Sequence, residues 1–373
     1  MIYLDNAATT RPLKSALDDA ERALNDLYFN PSALYAGGIQ THREIDGARE
    51  EILSLLADKE NFDLIFTSCG TEADNQAIFG SVKRGNFVTT LGEHAAVYEC
   101  ARELKNRGID VRFAPLNGDG SIDSDALLRL VDENTSLVSV IHVNNETGAI
   151  NPIERISEKV KQKNGRTLVM CDGVQAFGKI PVRLTNHIDF YSVSAHKIGA
   201  LKGTGALIKR KKINLAPYLY GGGQEKNHRS GTENVFGILA FASAAKKRLS
   251  SLKGDSERVL KLREKLFEML DKDTFVRLSS ISGTPYILTV VAKGVRGETL
   301  VRMLSDQGVF AGTGSACSSK KPYSRVIEAC GLDKELLNGV LRFSFSAENT
   351  EEEIASAAKI INATAKELYG RVK

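Results

Sequence analysis

Residues 168–197, LVMCDGVQAFGKIPVRLTNHIDFYSVSAHK, carry the pattern that decides the fold class of this chain. Two short β-rich runs, 168–171 and 190–193, each lead into polar residues. Between about residues 60 and 210 such runs alternate with helical patterns, the other five being 64–67, 87–90, 111–116, 137–143 and 206–208. This alternation predicts an α/β structure with a mainly parallel, seven-stranded sheet. Functional side chains are then expected at the carboxyl ends of the strands.

The pattern changes after the glycine run at 221–223 and a helical stretch near 235–249. A long charged helix is predicted at about 255–271, followed by strands near 275–278 and 286–292, and an amphipathic helix closes the chain at 350–369. We therefore expect two domains. Residues 15–245 form the large one, and residues 246–373 together with 1–14 form a smaller α/β domain.

The composition is that of an ordinary globular protein, with 373 residues, 42% of them apolar and 26% charged. The longest nearly apolar run, 236–245, is much shorter than the roughly 20 residues that a membrane helix needs. An acid, Asp5, precedes any apolar segment that could serve as a signal peptide. We expect a cytoplasmic protein without membrane association.

The net charge of +4 includes basic runs at 209–212 and 246–248, which could contact RNA or an acidic partner. Solvated turns and helix ends are the commoner explanation of such runs, so direct contact with nucleic acid is not expected. The five cysteines form no Cys-x-x-Cys pair and lie at no zinc-finger spacing. The sequence therefore predicts reduced thiols and no metal site.

The tetrapeptide Ser194-Ala195-His196-Lys197 follows the run at 190–193. A lysine amine can hold pyridoxal phosphate as a Schiff base when the protein also supplies a phosphate cradle and an acid for the pyridine nitrogen. Alone, the tetrapeptide is more typical of a solvated strand end. The hypothesis depends on finding the other two elements.

A phosphate cradle is predicted at 68–75, where the run at 64–67 leads into small residues and a helix. The helix N-terminus favours an anion, with Gly70 and Thr71 as the best contacts. A simple N-cap is an equally good explanation of this segment by itself. Asp172, at the end of the run at 168–171, is the candidate acid for the pyridine nitrogen, although it could also be a capping or salt-bridged aspartate.

Three further residues are candidates for binding and proton transfer. His94 follows a strand and could stack on the ring and move protons, although a lone histidine is more often structural. Asn145, in the polar stretch 142–148, could hold the ring hydroxyl or the substrate. Arg342 lies among apolar neighbours in a predicted strand and suits bidentate capture of an amino-acid carboxylate, or else a structural ion pair.

Cys317 lies in AGTGSACSSKK, residues 311–321, among small, polar and basic residues. A thiol in such surroundings can be exposed and ionised, whereas Cys100 and Cys171 lie in patterns typical of buried residues. Cys317 is therefore the candidate nucleophile. An incidental loop cysteine is the alternative.

Taken together and in this order, the motifs resemble the cysteine desulfurases, the NifS/IscS-like branch of the class V aminotransferases. The matching segments are 3–10, 66–75, 93–94, 143–148, 172–175, 194–197, 221–232, 314–318 and 341–344. The resemblance implies the fold type I architecture of pyridoxal phosphate-dependent transferases, with a large cofactor-binding domain and a smaller domain that carries the cysteine.

The resemblance also implies a role for each matching residue. Lys197 would bind the cofactor covalently and shuttle the α-proton, with Asp172 on the pyridine nitrogen and His94 on the ring. Gln175 and Asn145 would contact the ring oxygen, and Arg342 the substrate carboxylate. The phosphate would be bound by Gly70, Thr71, Ser194 and His196, and, from the neighbouring subunit of a homodimer, by Thr232.

The implied reaction converts L-cysteine to L-alanine and leaves the sulfur as a persulfide on Cys317. The sulfur would then pass to an acceptor protein, an iron-sulfur scaffold or a tRNA-thiolating enzyme. A selenocysteine lyase, or a C–S lyase that does not need Cys317, stays open as an alternative. A non-catalytic scaffold that binds protein or RNA through the basic runs is the alternative from another class, and predicts a protein without bound aldehyde.

Overall fold

The computed structural model describes residues 1–314 and 323–372, which form an α/β protein with three sheets. The strands, in chain order, are β1 (Ile2–Tyr3), β2 (Phe62–Thr67), β3 (Asn86–Thr90), β4 (Asp110–Ala114), β5 (Thr135–Ile141), β6 (Leu168–Asp172), β7 (Phe190–Ser194), β8 (Gly205–Arg210), β9 (Phe275–Arg277), β10 (Ile287–Ala292), β11 (Val309–Phe310) and β12 (Val340–Ser344). The helices are α1 (Lys14–Asp26), α2 (Ala36–Leu56), α3 (Gly70–Ser81), α4 (Ala95–Asn106), α5 (Ser124–Leu130), α6 (Ile153–Lys163), α7 (Val235–Ser250), α8 (Leu252–Met269), α9 (Gly297–Asp306), α10 (Arg325–Ala329), α11 (Lys334–Leu337) and α12 (Glu351–Val372).

The largest sheet has seven strands in the order β2-β8-β7-β6-β5-β3-β4. Five of them, β3 to β7, pair in parallel, and β8 runs antiparallel to both β7 and β2. Since β2 is antiparallel to β8, it points the same way as those five. The carboxyl ends of six strands therefore meet at one edge, and the predicted mainly parallel, seven-stranded sheet is confirmed.

Helices cover both faces of this sheet, and alternate residues along each strand enter different cores. On β2, Leu64 and Phe66 pack in the core that includes α1, α2 and α7, whereas Ile65 packs against α3 and α4. This division follows from the two-residue period of a strand. The strands β5 and β7 are buried along almost their whole length, as expected for sheets covered on both sides.

The C-terminal part has its own antiparallel sheet, β12-β10-β9, which packs against α8, α9 and α12. The N-terminal segment joins this second core, since Leu4 is completely buried in it and β1 pairs with β11. Ser344 at the end of β12 then holds the segment, because its Oγ accepts from the Ala7 N–H at 2.8 Å. No helix in the described ranges is long and apolar enough to cross a membrane.

Arg263 ties α8 to the loop that precedes β10. Its side chain is 1% exposed, and its guanidinium donates to the carbonyls of Ile281 and Thr284 at 2.8 Å each. The Thr284 N–H in turn donates to the Gly148 carbonyl at 2.8 Å. A fully buried guanidinium therefore links the second core to the loop that follows β5.

Replacing Arg263 by Met should lower the free energy of unfolding by about 2–4 kcal/mol, because buried carbonyls lose their donors. Urea unfolding followed by circular dichroism measures this change. The exposed neighbour Lys261 is the matched control, and Lys261→Met should stay within about 0.5 kcal/mol of the parent. Equal losses in the two variants would contradict the role given to Arg263.

Candidate active site

A cleft of about 250 Å³ lies at the carboxyl edge of the large sheet. The predicted site residues that line it are Gly70, Thr71, His94, Asn145, Asp172, Gln175, Ser194, His196, Lys197 and Arg342. They come from the ends of β2, β3, β5, β6 and β7 and from β12. Thr232 is exposed and does not line this cleft within one chain. Cys317 lies outside the described residues.

One end of the cleft is formed by the N-terminus of α3. The N–H groups in the first turn of a helix have no partner inside the helix, so α3 presents free donors at Gly70 and Thr71. Gly70 must be small here, since a Cβ would lie 2.7 Å from Val174 Cγ2. The buried Ser194 Oγ, which has no hydrogen-bond partner among the described residues, lies at the same cleft. These donors fit a bound phosphate.

The loop that precedes Thr232 is tied to this helix through a partly buried ion pair. Arg229 Nε donates to Glu72 Oε1 at 2.8 Å. The other carboxylate oxygen of Glu72 accepts from the Ser68 N–H at 2.8 Å. The ion pair thus fixes the loop and the phosphate end of the cleft relative to each other.

Two buried carboxyl groups lie side by side in the cleft wall. Asp172, at the end of β6, is 3% exposed, and its Oδ1 accepts from the Val174 N–H at 2.9 Å. Asp74 of α3 is 1% exposed, and its Oδ1 has no hydrogen-bond partner in the described part of the chain. Burial raises the pKa of both, and the charge of Asp172 raises that of Asp74 further. Such a pair favours a cation in the cleft, and a protonated ring nitrogen fits that requirement.

Sequence reasoning assigned no role to Asp74, although a signal was present. On α3 the buried residues Gly70, Ala73 and Ala77 share one face with Asp74. An acid among small apolar residues on the buried face of a helix must have a partner or lie beside a binding site.

His94 is the N-cap of α4, and its Nδ1 accepts from the Ala96 N–H at 3.2 Å. Burial lowers the pKa of the imidazole, and Lys197 lowers it further against the opposing charge of Asp172. A ring that accepts at Nδ1 carries its proton at Nε2 when neutral. His94 therefore lines the cleft with a pKa that favours the neutral imidazole.

Glu93, which directly precedes His94 in the sequence, connects the ends of β3 and β5. Its side chain is completely buried, and Oε1 accepts from Thr90 Oγ1 at 2.8 Å and from the Ile141 N–H at 2.9 Å. Burial raises the pKa of Glu93 to about 8, in spite of those two hydrogen bonds. The carboxyl group is therefore protonated at neutral pH.

Lys197 points its amine at the N-terminal segment. Its Nζ donates to the carbonyl oxygens of Ala7 and Ala8 at 2.8 and 2.7 Å. The sequence pattern marked this segment as part of the resemblance but gave its backbone no function. Only the fold shows that two carbonyls from the N-terminus reach the lysine at the end of β7.

Arg342 of β12 also lines the cleft, and it is 6% exposed. Its Nη2 donates to Asp5 Oδ1 and its Nη1 to the Asn145 carbonyl, both at 2.8 Å. The Nε of Arg342 and the Oδ1 of Asn145 are buried and have no partner among the residues described. The structural ion pair considered as an alternative is thus present, and it leaves the Nε–H of the guanidinium without a partner among the described residues and available for a carboxylate.

The described cysteines differ in their access to the cleft. Cys100, Cys171 and Cys330 are buried, as expected for the first two, and burial raises the pKa of both Cys100 and Cys330 to about 12. Cys69 is half-buried and lines the cleft beside Gly70. No group of His, Cys, Asp or Glu in the described ranges could hold a metal ion.

The comparisons with known proteins agree with this geometry. The model of the family described as "Aminotransferase class-V" matches residues 2–356. The chain belongs to this family. A cysteine desulfurase from Trichormus azollae is 36% identical over 370 residues, which cover 97% of this chain and 92% of the relative.

Two solved structures extend the likeness to the fold. A "NIFS-LIKE PROTEIN" is 34% identical with a TM-score of 0.92, covering 98% of this chain and 100% of its own. "SspA in complex with cysteine" is 27% identical with a TM-score of 0.82, covering 94% and 100%. The predicted fold, family and enzyme class, that of the cysteine desulfurases, are confirmed.

Family members depend on pyridoxal phosphate, and the cleft fits this cofactor. The observation that decides the fit is the set of buried polar atoms without partners in the described part of the chain. They belong to residues that line the cleft, and they are Asp74 Oδ1, Asn145 Oδ1, Ser194 Oγ and Arg342 Nε. Buried polar atoms normally have partners, so this cluster indicates a polar ligand.

The pKa of Glu93 predicts a dependence of stability on pH. The ordinary pKa of a glutamate is 4.5, and that of Glu93 in the folded protein is about 8. At a pH between these two values, Glu93 keeps its proton in the folded protein and releases it in the unfolded chain. The contribution of Glu93 to the free energy of unfolding is therefore fully present below pH 4.5 and is lost as the pH rises to about 8. Glu93→Gln removes the ionisation, so its free energy of unfolding should rise relative to the parent between about pH 5 and pH 8. Urea unfolding at several pH values measures the difference, and a difference that is constant with pH would contradict the assignment.

Proposed function

We propose that this chain is a pyridoxal phosphate-dependent cysteine desulfurase that converts L-cysteine to L-alanine and retains the sulfur on Cys317. The observation that carries the proposal is the convergence of Lys197, Asp172 and Arg342 on one cleft. An amine, a buried acid and a guanidinium are the groups that an amino acid and an aldehyde cofactor need. The likeness to SspA in complex with cysteine supports L-cysteine as the substrate.

Each cofactor contact is assigned to a residue that lines the cleft. Lys197 is the covalent anchor and Asp172 faces the ring nitrogen, while Gln175 and Asn145 contact the ring oxygen and His94 stacks on the ring. Gly70, Thr71, Ser194 and His196 bind the phosphate. When bound, pyridoxal phosphate supplies an electron sink for negative charge at the α-carbon of the substrate.

The side chains of the chain itself bind the substrate and move its protons. Arg342 binds the substrate carboxylate through N–H groups that its contacts with Asp5 and Asn145 leave available, the Nε–H among them. The amine of Lys197 would take the α-proton of the substrate as a general base. The carbonyls of Ala7 and Ala8 are the acceptors that keep this amine oriented.

The sulfur step requires a thiolate that can reach the substrate. Cys317 attacks the substrate sulfur, and a new S–S bond forms as the C–S bond of the substrate breaks. The electron pair of that bond stays on carbon, which takes up protons to give alanine. Gly314, which lines the cleft, precedes Cys317 by three residues in the sequence.

The proposal extends to the assembly and to the fate of the sulfur. Thr232, exposed on the loop fixed by Arg229, would complete the phosphate site of a second subunit in a homodimer. The persulfide would pass to an iron-sulfur scaffold or a tRNA-thiolating enzyme.

The separate cores of the two sheets support a large domain at 15–245, and a smaller one at 246–373 together with 1–14.

The deciding experiment is anaerobic turnover of L-cysteine by protein loaded with pyridoxal phosphate, in the presence of a thiol reductant. The parent should release alanine and sulfide in equal amounts, and Cys317→Ala should release neither, because the persulfide cannot form. Cys330→Ala is the matched control, since it removes a buried thiol that lies outside the cleft, and it should retain activity.

Other outcomes would assign other reactions. Sulfide with pyruvate from Cys317→Ala would indicate a C–S lyase in place of a desulfurase. A parent that is inactive on L-cysteine but releases alanine from L-selenocysteine would indicate a selenocysteine lyase. A protein that takes up no aldehyde would contradict the proposal and favour a binding role.

The position of Cys69 gives an independent test of the phosphate site. In cofactor-free Cys317→Ala protein, iodoacetamide should label Cys69 and leave the three buried cysteines unlabelled. At ten times its dissociation constant, pyridoxal phosphate should slow this labelling about elevenfold, because about one site in eleven stays empty. Peptide mass spectrometry measures the rate. Full cofactor loading without protection of Cys69 would place the phosphate elsewhere.

A further inference from the structure

A buried lysine lies directly behind the cleft, in the turn that follows β6. The side chain of Lys179 is 5% exposed, and its Nζ donates to Gln175 Oε1 at 2.7 Å. No step of the proposed reaction uses this amine. A buried lysine is costly unless it has a specific partner, so the contact with Gln175 is the feature to explain.

The amide of Gln175 is held from both sides. It is 4% exposed, and its Nε2 donates to the Ala7 carbonyl at 2.8 Å. A carbonyl can only accept, so Nε2 must face Ala7 and Oε1 must face Lys179. Ala7 O also accepts from Lys197 Nζ at 2.8 Å. A continuous chain of hydrogen bonds therefore connects Lys179 with the amine at the bottom of the cleft.

We propose that Lys179 is a positioning residue, which fixes the Gln175 amide so that its remaining Nε2 hydrogen donates to the ring oxygen of the cofactor. The inference rests on the proposed function, in which Gln175 contacts that oxygen. Lys179 touches neither cofactor nor substrate and acts only through Gln175.

The charges around Lys179 suit this role. Burial lowers the pKa of the amine well below its ordinary value, and the neighbouring cations Lys197, Arg248 and Arg342 lower it further. The lowered pKa favours the neutral form of the amine, which still donates its hydrogen bond to Gln175. An apolar side chain of the same length would leave Oε1 of Gln175 buried without a donor, and the amide would lose its orientation.

The test compares four full-length proteins: the parent, Lys179→Met, Gln175→Ala and the double variant. The readouts are the dissociation constant of pyridoxal phosphate and the midpoint of the pH titration of its visible absorbance. Lys179→Met should weaken binding about tenfold, as expected for one buried hydrogen bond to a positioned group. It should move the midpoint by about 0.5–1 unit toward alkaline pH, because less donation to the ring oxygen leaves that oxygen more basic.

The double variant separates positioning from packing. If Lys179 acts through Gln175, Lys179→Met should cause no further change in a protein that already carries Gln175→Ala. Lys209 is the matched control, since its side chain is also buried and its amine donates to backbone carbonyls and pairs with Asp63, all away from the cleft. Lys209→Met should lower the thermal midpoint of unfolding without moving the absorbance midpoint.

Lys179→Gln provides a second variant in case the methionine variant does not fold. Glutamine keeps an N–H donor on a side chain that is one atom shorter. This variant should shift the absorbance midpoint in the same direction by a smaller amount. A Lys179 variant that folds and binds with the parent's midpoint would overturn the inference, as would equal shifts in the presence and absence of Gln175. A parent that forms no visible pyridoxal band would overturn the proposed function, and this inference with it.

Discussion

The structure depends on the common direction of six strands in the large sheet. Because those strands point the same way, their carboxyl ends meet at one edge, and the residues that follow them are brought together although they are far apart in sequence. Gly70, His94, Asp172 and Lys197 each lie within a few residues of such an end. The antiparallel β8 does not disturb this arrangement, since it enters between β2 and β7 and contributes no residue to the cleft.

Desolvation determines the chemistry of that edge. Burial raises the pKa of Asp74, Asp172 and Glu93, and lowers that of His94. Each shift disfavours the charged form of the isolated group, so the cleft is most stable when a ligand brings compensating charge and hydrogen bonds. A cofactor with a cationic ring nitrogen and an anionic phosphate would provide both, and in the proposed site the two aspartates would face the first and the N-terminus of α3 the second.

The sequence predicted the elements that depend on local pattern and missed those that depend on distant contacts. All seven strands of the large sheet were located, although β4 ends at Ala114 and not at Leu116, because Pro115 has no N–H to continue the ladder. The pairing of β1 with β11 could not be foreseen, since two-residue strands have no periodicity. The role of Asp74 was missed for a similar reason, because its neighbour Asp172 lies about a hundred residues away in sequence.

The N-terminal segment connects the second core with the cleft at the edge of the large sheet. It is anchored in the second core by Leu4, and it reaches the cleft with the carboxylate of Asp5 and the carbonyl of Ala7. In the proposed site a substrate carboxylate would share Arg342 with Asp5, and the amide of Gln175 shares the Ala7 carbonyl with Lys197. Any shift of one core against the other would therefore change substrate binding and the orientation of the lysine together. This coupling explains why a segment without chemistry of its own belongs to the site.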